Sequence, residues 1–193
     1  MICREFFDSV KEELEPCKTL QQYPEPTQVA WEFEIASAHS QSYVQDGEVL
    51  ARQVVDPTHF DHVTGTIKPN FFDDAASIGA SCHRLCYATE QEIFQMTNDR
   101  VFLVNQNPPK TGPRTAIGYA SIKALEVRSI MTVGNTSRRG AAVYDTAKPN
   151  DISHADICQL VSGRQEGRSV RAQLWMLTRD RLVTFSQLPT TTG

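Results

Sequence analysis

The segment 143–160, VYDTAKPNDISHADICQL, places several chemically capable side chains close together in the sequence. They can converge as metal ligands, or as a general base with the carboxylate that orients it. A structural interpretation accounts for the same residues: 149–151 forms a turn, Ser153 caps a following helix, and Asp156 completes the cap at the positive helix end. The sequence favours this helix start over a site. The four candidates in the cluster are Asp145, His154, Asp156 and Cys158.

Two further clusters contain residues that bind metals in other proteins. Cys82, His83 and Cys86 lie together in SCHRLCYA, but no second Cys/His pair follows to complete a zinc site. Buried, reduced cysteines are the expected outcome. The segment DPTHFDH, 56–62, can bind a cation or supply an acid–base pair, yet Asp-Pro also begins a turn, so we predict a loop. Its candidates are Asp56, His59, Asp61 and His62.

No contiguous catalytic motif is present in the sequence. The chain lacks the Gly-x-Ser-x-Gly elbow, the P-loop and the dinucleotide fingerprint. A cysteine nucleophile with a histidine base can be assembled from Cys82 or Cys158 and several histidines, but no spacing specifies one pairing. We therefore predict neither a cofactor nor a metal site.

Three separate residues form a looser pattern across the chain. Arg52, Ser81 and Glu126 each lie in a segment predicted to be a strand. Their order along the chain, a strand-borne Arg, then Ser, then Glu, is similar to that in ADP-ribosyltransferases, which hold a nicotinamide nucleotide in a cleft. The resemblance implies an Arg for phosphate or ribose, a Ser for orientation, and a Glu that stabilises a cationic sugar. The alternative is that Arg52 and Glu126 are exposed charges beside a sheet.

Charge and composition limit the classes of partner. Apolar residues make up 40% of the 193 residues and charged residues 22%, which is typical of a globular domain. The formal net charge of −4 argues against a general nucleic-acid or anionic-membrane binder. A local basic patch can still exist within an acidic total. Its candidate nucleic-acid-binding residues are Arg138, Arg139, Arg164, Arg168 and Arg171.

Location is predicted from apolar runs and cysteines. No apolar run approaches the roughly 20 residues that span a bilayer. The acidic, amphipathic N-terminal segment lacks the basic start and apolar stretch of a signal peptide. Five cysteines, widely spread, do not form the pattern of a secreted disulfide framework. We expect a soluble cytoplasmic protein with reduced thiols and no membrane association.

The elements that must position these residues follow from periodicity and turn signals. Phe6, Val10 and Leu14 predict a one-sided N-terminal helix that ends at Pro16. Thr89 with Glu92 gives a capping box, which predicts a helix start. The segments 29–36, 48–55, 80–88, 100–107, 126–133 and 141–146 are predicted strands, and 70–79, 153–163 and 170–177 are predicted helices.

Short strands interleaved with short helices predict an α+β fold in a single compact domain. The domain is assigned to 23–188, preceded by an amphipathic helix on a Pro-bearing arm (1–22) and followed by a polar tail (189–193). Because a helix on a tether can dock on a partner, the first hypothesis is a non-catalytic module that binds another protein. The alternative is an enzyme acting on a nucleotide or nucleic acid, with Arg52, Ser81 and Glu126, or the 56–62 cluster, in its cleft.

Overall fold

A six-stranded antiparallel sheet organises the computed structural model, which describes residues 1–133 and 137–185. Its strands are β1 (Val49–Asp56), β4 (Ala80–Arg84), β5 (Thr115–Lys123), β6 (Ala141–Tyr144), β7 (His154–Gln159) and β8 (Leu182–Thr184), and a small hairpin pairs β2 (Phe60–Asp61) with β3 (Thr66–Ile67). The order across the sheet is β6-β7-β4-β1-β5-β8, so β4 and β1 lie at its centre.

Short helices surround the sheet and confirm the predicted α+β class. They are α1 (Cys3–Val10), α2 (Pro16–Leu20), α3 (Glu25–Trp31), α4 (Glu90–Asn105), α5 (Ala124–Arg128) and α6 (Arg164–Thr178), with a 3-10 segment at Pro69–Ala76. None of the helices in the described part of the chain is long and apolar enough to cross a membrane.

One face of the sheet carries the main apolar core. Leu50 and Val54 of β1 point into this core, while Ala51 points to the opposite face, as the alternation of side chains along a strand requires. The 3-10 segment supplies Phe71 and Phe72, and α6 supplies Leu174, all of them almost fully buried. Burial of these side chains is the principal force that holds α6 and the 3-10 segment against the sheet.

The other face of the sheet carries two separate apolar clusters. At one side, Tyr144 and Cys158 pack with Phe6 of α1 and with Trp31. At the other side, residues of β1 and β5 pack beneath α4. Between them, the neighbouring strands β4 and β7 present Ser81, His83, His154 and Asp156, which their strand register places on the same face. The fold therefore leaves a polar strip between two apolar clusters.

The prediction of a helix at 153–163 is wrong. His154–Gln159 forms β7, which pairs with both β4 and β6. Ser153 is not a helix cap: its Oγ donates to Asp151 Oδ1 at 2.6 Å in the turn before β7. A local capping signal is worth about 1 kcal/mol, whereas two ladders of backbone hydrogen bonds and burial on both faces favour the strand more strongly.

Three of the predicted strands are also wrong in type. The segment 100–107 falls largely within α4, 126–133 begins in α5, and 29–36 contains the end of α3. Glu126 accordingly lies on a helix rather than on a strand. The segments 100–107 and 126–133 are short, mostly apolar runs, which do not distinguish a strand from a helix without tertiary context. In 29–36, apolar residues alternate with two glutamates as in a strand, but the packing of α3 overrides this local pattern.

The N-terminal segment packs on the sheet. Cys3, Phe6 and Val10 form the buried face of α1, while Leu14 lies beyond the helix and is 90% exposed. The domain boundary at residue 22 stays a prediction. The predicted polar tail 189–193 lies outside the described residues.

Candidate functional site

A cavity of about 240 Å³ lies beside the last residues of β1 and the first residues of β4, under α4. We call it the arginine pocket, after Arg52, Arg100 and Arg114, which line it together with His59 and Ser81. Arg52 comes from β1, Arg100 from α4, and Arg114 from the loop before β5. Non-local chain folding therefore brings three guanidinium groups around one cavity.

Arg52 has its charge compensated within the protein. Its guanidinium donates to both carboxylate oxygens of Asp74, at 2.8 and 2.7 Å, and to the backbone carbonyls of Phe71 and Ser81. The residue is 4% exposed, and its guanidinium lies 4.9 Å from the centre of the Phe71 ring. Such a bidentate, multiply bonded arginine fixes the pocket wall.

Arg100 and Arg114 have no such compensation, since neither forms an ion pair within residues 1–133 and 137–185. The Asn105 side chain holds Arg114 in place by donating to its carbonyl at 2.8 Å and accepting from its amide at 2.7 Å. The buried Nε of Arg114 has no hydrogen-bond partner in the described structure. With Asp74 offsetting Arg52, the pocket carries two uncompensated positive charges.

The pKa of His59 reflects its burial and the positive charges around the pocket. Burial, and then the charges of Arg52, Arg100 and Arg114, lower the pKa of His59 to about 3. Its imidazole is therefore neutral near pH 7. Its buried Nδ1, like Arg114 Nε, has no hydrogen-bond partner among the described residues.

Burial, and then the charges of Arg52 and Arg114, also lower the pKa of Arg100, although much of the Arg100 residue is exposed. Two further cations close to a guanidinium disfavour its charged form. An anion among these three groups would reverse that effect and would supply a partner for Arg114 Nε.

Ser81 connects the arginine pocket to a set of polar groups around two buried histidines on the sheet, here called the histidine network. Ser81 Oγ lies 3.2 Å from His154 Nε2 and 3.2 Å from Asp156 Oδ1. Gly79, at φ +90°, precedes it, and a Cβ there would lie 3.0 Å from Asp156. Glycine thus allows the chain to pass Asp156 and enter β4 in this position. The network comprises Ser81, His83, Thr146, Lys148, Asp151, Ser153, His154 and Asp156.

The second histidine of the network, His83, faces Asp151. His83 Nδ1 lies 3.0 Å from Ser153 Oγ and 3.4 Å from Asp151 Oδ2, and the Gln53 amide nitrogen lies 3.1 Å from Nε2. Burial acts to raise the pKa of Asp151, but hydrogen bonds with His83 and Ser153 hold it well below its usual range. Asp151 is therefore a carboxylate that orients this histidine.

The structure brings together two of the three residues in the Arg–Ser–Glu pattern. Arg52 NH1 donates to the Ser81 carbonyl at 3.0 Å, and both residues line the same cavity. Glu126 lies elsewhere, on α5, where it accepts two hydrogen bonds from Arg181 at 2.6 and 2.8 Å. The complete three-residue arrangement implied by the ADP-ribosyltransferase resemblance is not assembled.

The 56–62 and 82–86 clusters are divided in the structure. His59 lies in the arginine pocket, whereas His62 Nε2 pairs with Asp56 at 2.8 Å on the surface. Cys82 is buried in the main core and Cys86 is exposed beside Glu48. In the described residues, no group of three or more His, Cys, Asp or Glu side chains is arranged to hold a metal ion.

The 145–158 cluster contributes to the network only in part. His154 and Asp156 belong to it, but Asp145 pairs with Arg84 at 2.6 Å and Cys158 lies in the cluster beneath α1.

The proposed basic patch is similarly divided. Its residues form the pairs Arg138–Glu166, Arg139–Glu32 and Arg171–Asp73, while Arg164 and Arg168 are exposed on α6.

Sequence reasoning missed Arg100 and Arg114. Arg100 stands at the start of the apolar run that was predicted to be a strand, and helical spacing places it on the same side as Val101 and Val104, which line the pocket. Continuing the helix from Thr89 through this run would have revealed Arg100. Nothing local identifies Arg114, because its position depends on the return of the chain to Asn105.

Comparisons with protein-family models, with curated proteins and with solved structures find no match. The side chains of the site nevertheless define a chemistry. Guanidinium groups form charge-assisted hydrogen bonds with phosphate and carboxylate oxygens. A serine hydroxyl within reach of an imidazole is the arrangement used for nucleophilic catalysis.

Proposed function

We propose that the protein binds the phosphate group of a nucleotide in the arginine pocket. The observation that carries this proposal is the presence of Arg100 and Arg114 around one cavity without a carboxylate partner. Arginine recognises phosphate through paired hydrogen bonds in a fixed planar geometry, and a buried unpaired Nε–H costs about 1–3 kcal/mol. A bound phosphate would offset that cost and would neutralise the two uncompensated charges.

The size and surroundings of the pocket support a single phosphate group rather than a length of nucleic acid. A cavity of about 240 Å³ accommodates a phosphate group and leaves most of a nucleotide at the mouth. A nucleic-acid backbone needs a track of unpaired cations, whereas three of the five arginines in the predicted basic patch are paired with carboxylates. The mononucleotide is therefore the preferred ligand class.

Titration calorimetry with adenosine 5′-monophosphate, and separately with inorganic phosphate, tests this proposal. Arg100→Gln and Arg114→Gln should each weaken binding roughly tenfold or more, because each removes a charged donor to the anion. Arg168→Gln is the matched control, since it removes one positive charge from an exposed position on α6. Absence of binding by the unaltered protein at millimolar ligand, or equal losses in all three variants, would reject the proposal.

The hypothesis of a protein-interaction module stays a prediction. Its positive support was an amphipathic helix on a tether, and α1 instead packs its apolar face on the sheet of its own domain. A cytoplasmic location also remains a proposal. The five cysteines are unpaired, which is compatible with a reducing compartment.

A further inference from the structure

We propose that Ser81 is a nucleophile and His154 its general base, so that the protein hydrolyses a phosphate monoester held in the arginine pocket. This inference rests on the proposed function, because the same pocket must hold the phosphate. It adds a reaction and assigns a role to each of the two side chains.

The first argument is distance. Ser81 Oγ lies 3.2 Å from His154 Nε2, which is at the limit of direct proton transfer and is typical of a site without substrate. Ser81 also lines the arginine pocket, and its carbonyl accepts from Arg52. Ser81 thus lines the same cavity as the groups that would hold the phosphate.

The second argument is the protonation of the His154 ring. Nδ1 lies 3.1 Å from the Thr146 carbonyl and 2.9 Å from the Thr146 hydroxyl, and that hydroxyl donates to Asp156 at 2.7 Å. Since a carbonyl oxygen can only accept, Nδ1 carries the proton of the neutral ring. Nε2 therefore carries a lone pair, as a base requires, and two donors lie within reach of it: Lys148 Nζ at 2.9 Å and the Ser81 hydroxyl at 3.2 Å. The Ser81 hydroxyl, which donates to Asp156 Oδ1 in this structure, must turn its proton to Nε2 for the reaction.

The third argument is electrostatic. Burial lowers the pKa of His154, and Lys148, whose Nζ lies 2.9 Å from Nε2, lowers it further. Asp156 and Asp151 oppose this shift, and His83 adds to it. Because the pKa of His154 lies below its ordinary value of 6.5, the imidazole is neutral, and so able to accept a proton, at pH 6.5 and above.

The reaction has two balanced steps. First, the Ser81 proton moves to His154 Nε2, Oγ bonds to phosphorus, the P–O ester bond breaks, and the leaving oxygen takes the proton from the imidazolium. Second, a water molecule gives a proton to Nε2, its oxygen bonds to phosphorus, and the P–Oγ bond breaks as Ser81 regains a proton. The products are an alcohol and inorganic phosphate. The guanidinium groups stabilise the charge on the transferring phosphoryl oxygens.

The experiment uses p-nitrophenyl phosphate and adenosine 5′-monophosphate with the full chain. Ser81→Ala and His154→Gln should each lower kcat at least about 100-fold. Ser81→Ala should still bind inorganic phosphate in the calorimeter. Ser162→Ala, at an exposed position, is the control and should leave the rate unchanged. Turnover by the unaltered protein should fall as acid protonates His154.

A measurement on the unaltered protein removes any dependence on the folding of the variants. Acid quenching during turnover, followed by peptide mass spectrometry, should find a phosphoryl group on Ser81. Phosphate binding without turnover of either ester, or turnover that survives in Ser81→Ala, overturns the inference and leaves the proposed function standing. Absence of phosphate binding overturns both.

Discussion

His59 is held without charge beside three guanidinium groups, and this has a consequence for stability. The pKa of His59 is about 3 in the folded protein, below the ordinary value of 6.5 that applies when the chain is unfolded. As the pH falls below 6.5, the unfolded chain takes up a proton that the folded chain does not. The free energy of unfolding therefore decreases between about pH 6.5 and pH 3.

Replacing His59 by Gln should remove this part of the pH dependence. The contribution approaches about 1.4 kcal/mol per pH unit for one full proton. Urea denaturation at pH 7.5 and pH 5 should show a smaller loss in His59→Gln than in the unaltered protein. His39→Gln, at an exposed position, is the control and should show the unaltered loss. Equal losses in all three proteins would mean that His59 is protonated in the folded state.

At the scale of elements, the buried side chain of Arg84 holds the long segment between α3 and β1 in place. Arg84 is fully buried and pairs with Glu48, at 2.7 Å, and with Asp145, at 2.6 Å. It also donates to the backbone carbonyls of Ser42 and Tyr43. These bonds supply partners for carbonyls that no strand or helix satisfies. The Arg84 side chain therefore supplies hydrogen-bond donors that the backbone of a helix or strand would otherwise provide to this segment.

Substitution of Arg84 by Met should destabilise the protein by about 3–5 kcal/mol, since it leaves Asp145 buried without its partner. Arg179→Met breaks an exposed pair with Asp180 and should cost less than about 1 kcal/mol. Urea denaturation followed by circular dichroism measures both. A loss below about 1 kcal/mol in Arg84→Met would show that the ion pairs and hydrogen bonds of Arg84 contribute little to the stability of the fold.

The elements were predictable wherever a local signal agreed with the tertiary structure. The Thr89 capping box is present: Glu92 accepts from the Thr89 amide at 2.7 Å, and Thr89 Oγ1 accepts from the Glu92 amide at 3.2 Å. The end of that helix was not predictable, because the last turns of α4 leave Phe102 67% exposed. An exposed apolar run gives no one-sided pattern.

The sequence named Arg52, Ser81 and His59 among its candidates for the pocket, and all three line it. Arg52 and Ser81 lie on central strands, where period-2 patterning marks a polar residue as exceptional. His154 and Asp156 alternate with Ala155 and Ile157, which is a strand pattern, but the cap signal at Ser153 obscured it. Arg100 joins the site through packing between distant segments, which one sequence does not reveal.

At the scale of the whole molecule, the N-terminal helix is part of the fold because it covers one side of the sheet. Phe6 is 1% exposed and its ring stacks on Trp31 at 5.0 Å. The cluster also includes Tyr144 of β6 and Cys158 of β7. Removing α1 would expose this apolar surface next to the histidine network.

Phe6→Ala should therefore cost about 3–5 kcal/mol, the range for removing a buried aromatic side chain. Leu14→Ala, at a 90% exposed position, is the control and should stay within about 0.5 kcal/mol. Thermal and urea unfolding measure both. If Phe6→Ala unfolds like the unaltered protein, the segment 1–22 is separable from the domain, as the sequence alone predicted.

The strand order also governs how the chain reaches its native state. β1 lies between β4 and β5, and β4 lies between β1 and β7, so neighbours in the sheet come from well-separated parts of the chain. Closing such long loops precedes the stabilisation that pairing brings, which slows folding. On the ribosome, β1 emerges well before β5, and β4 well before β7. Until those partners are synthesised, Leu50 and Val54 have no complete core to enter, and apolar surface exposed in this way favours aggregation.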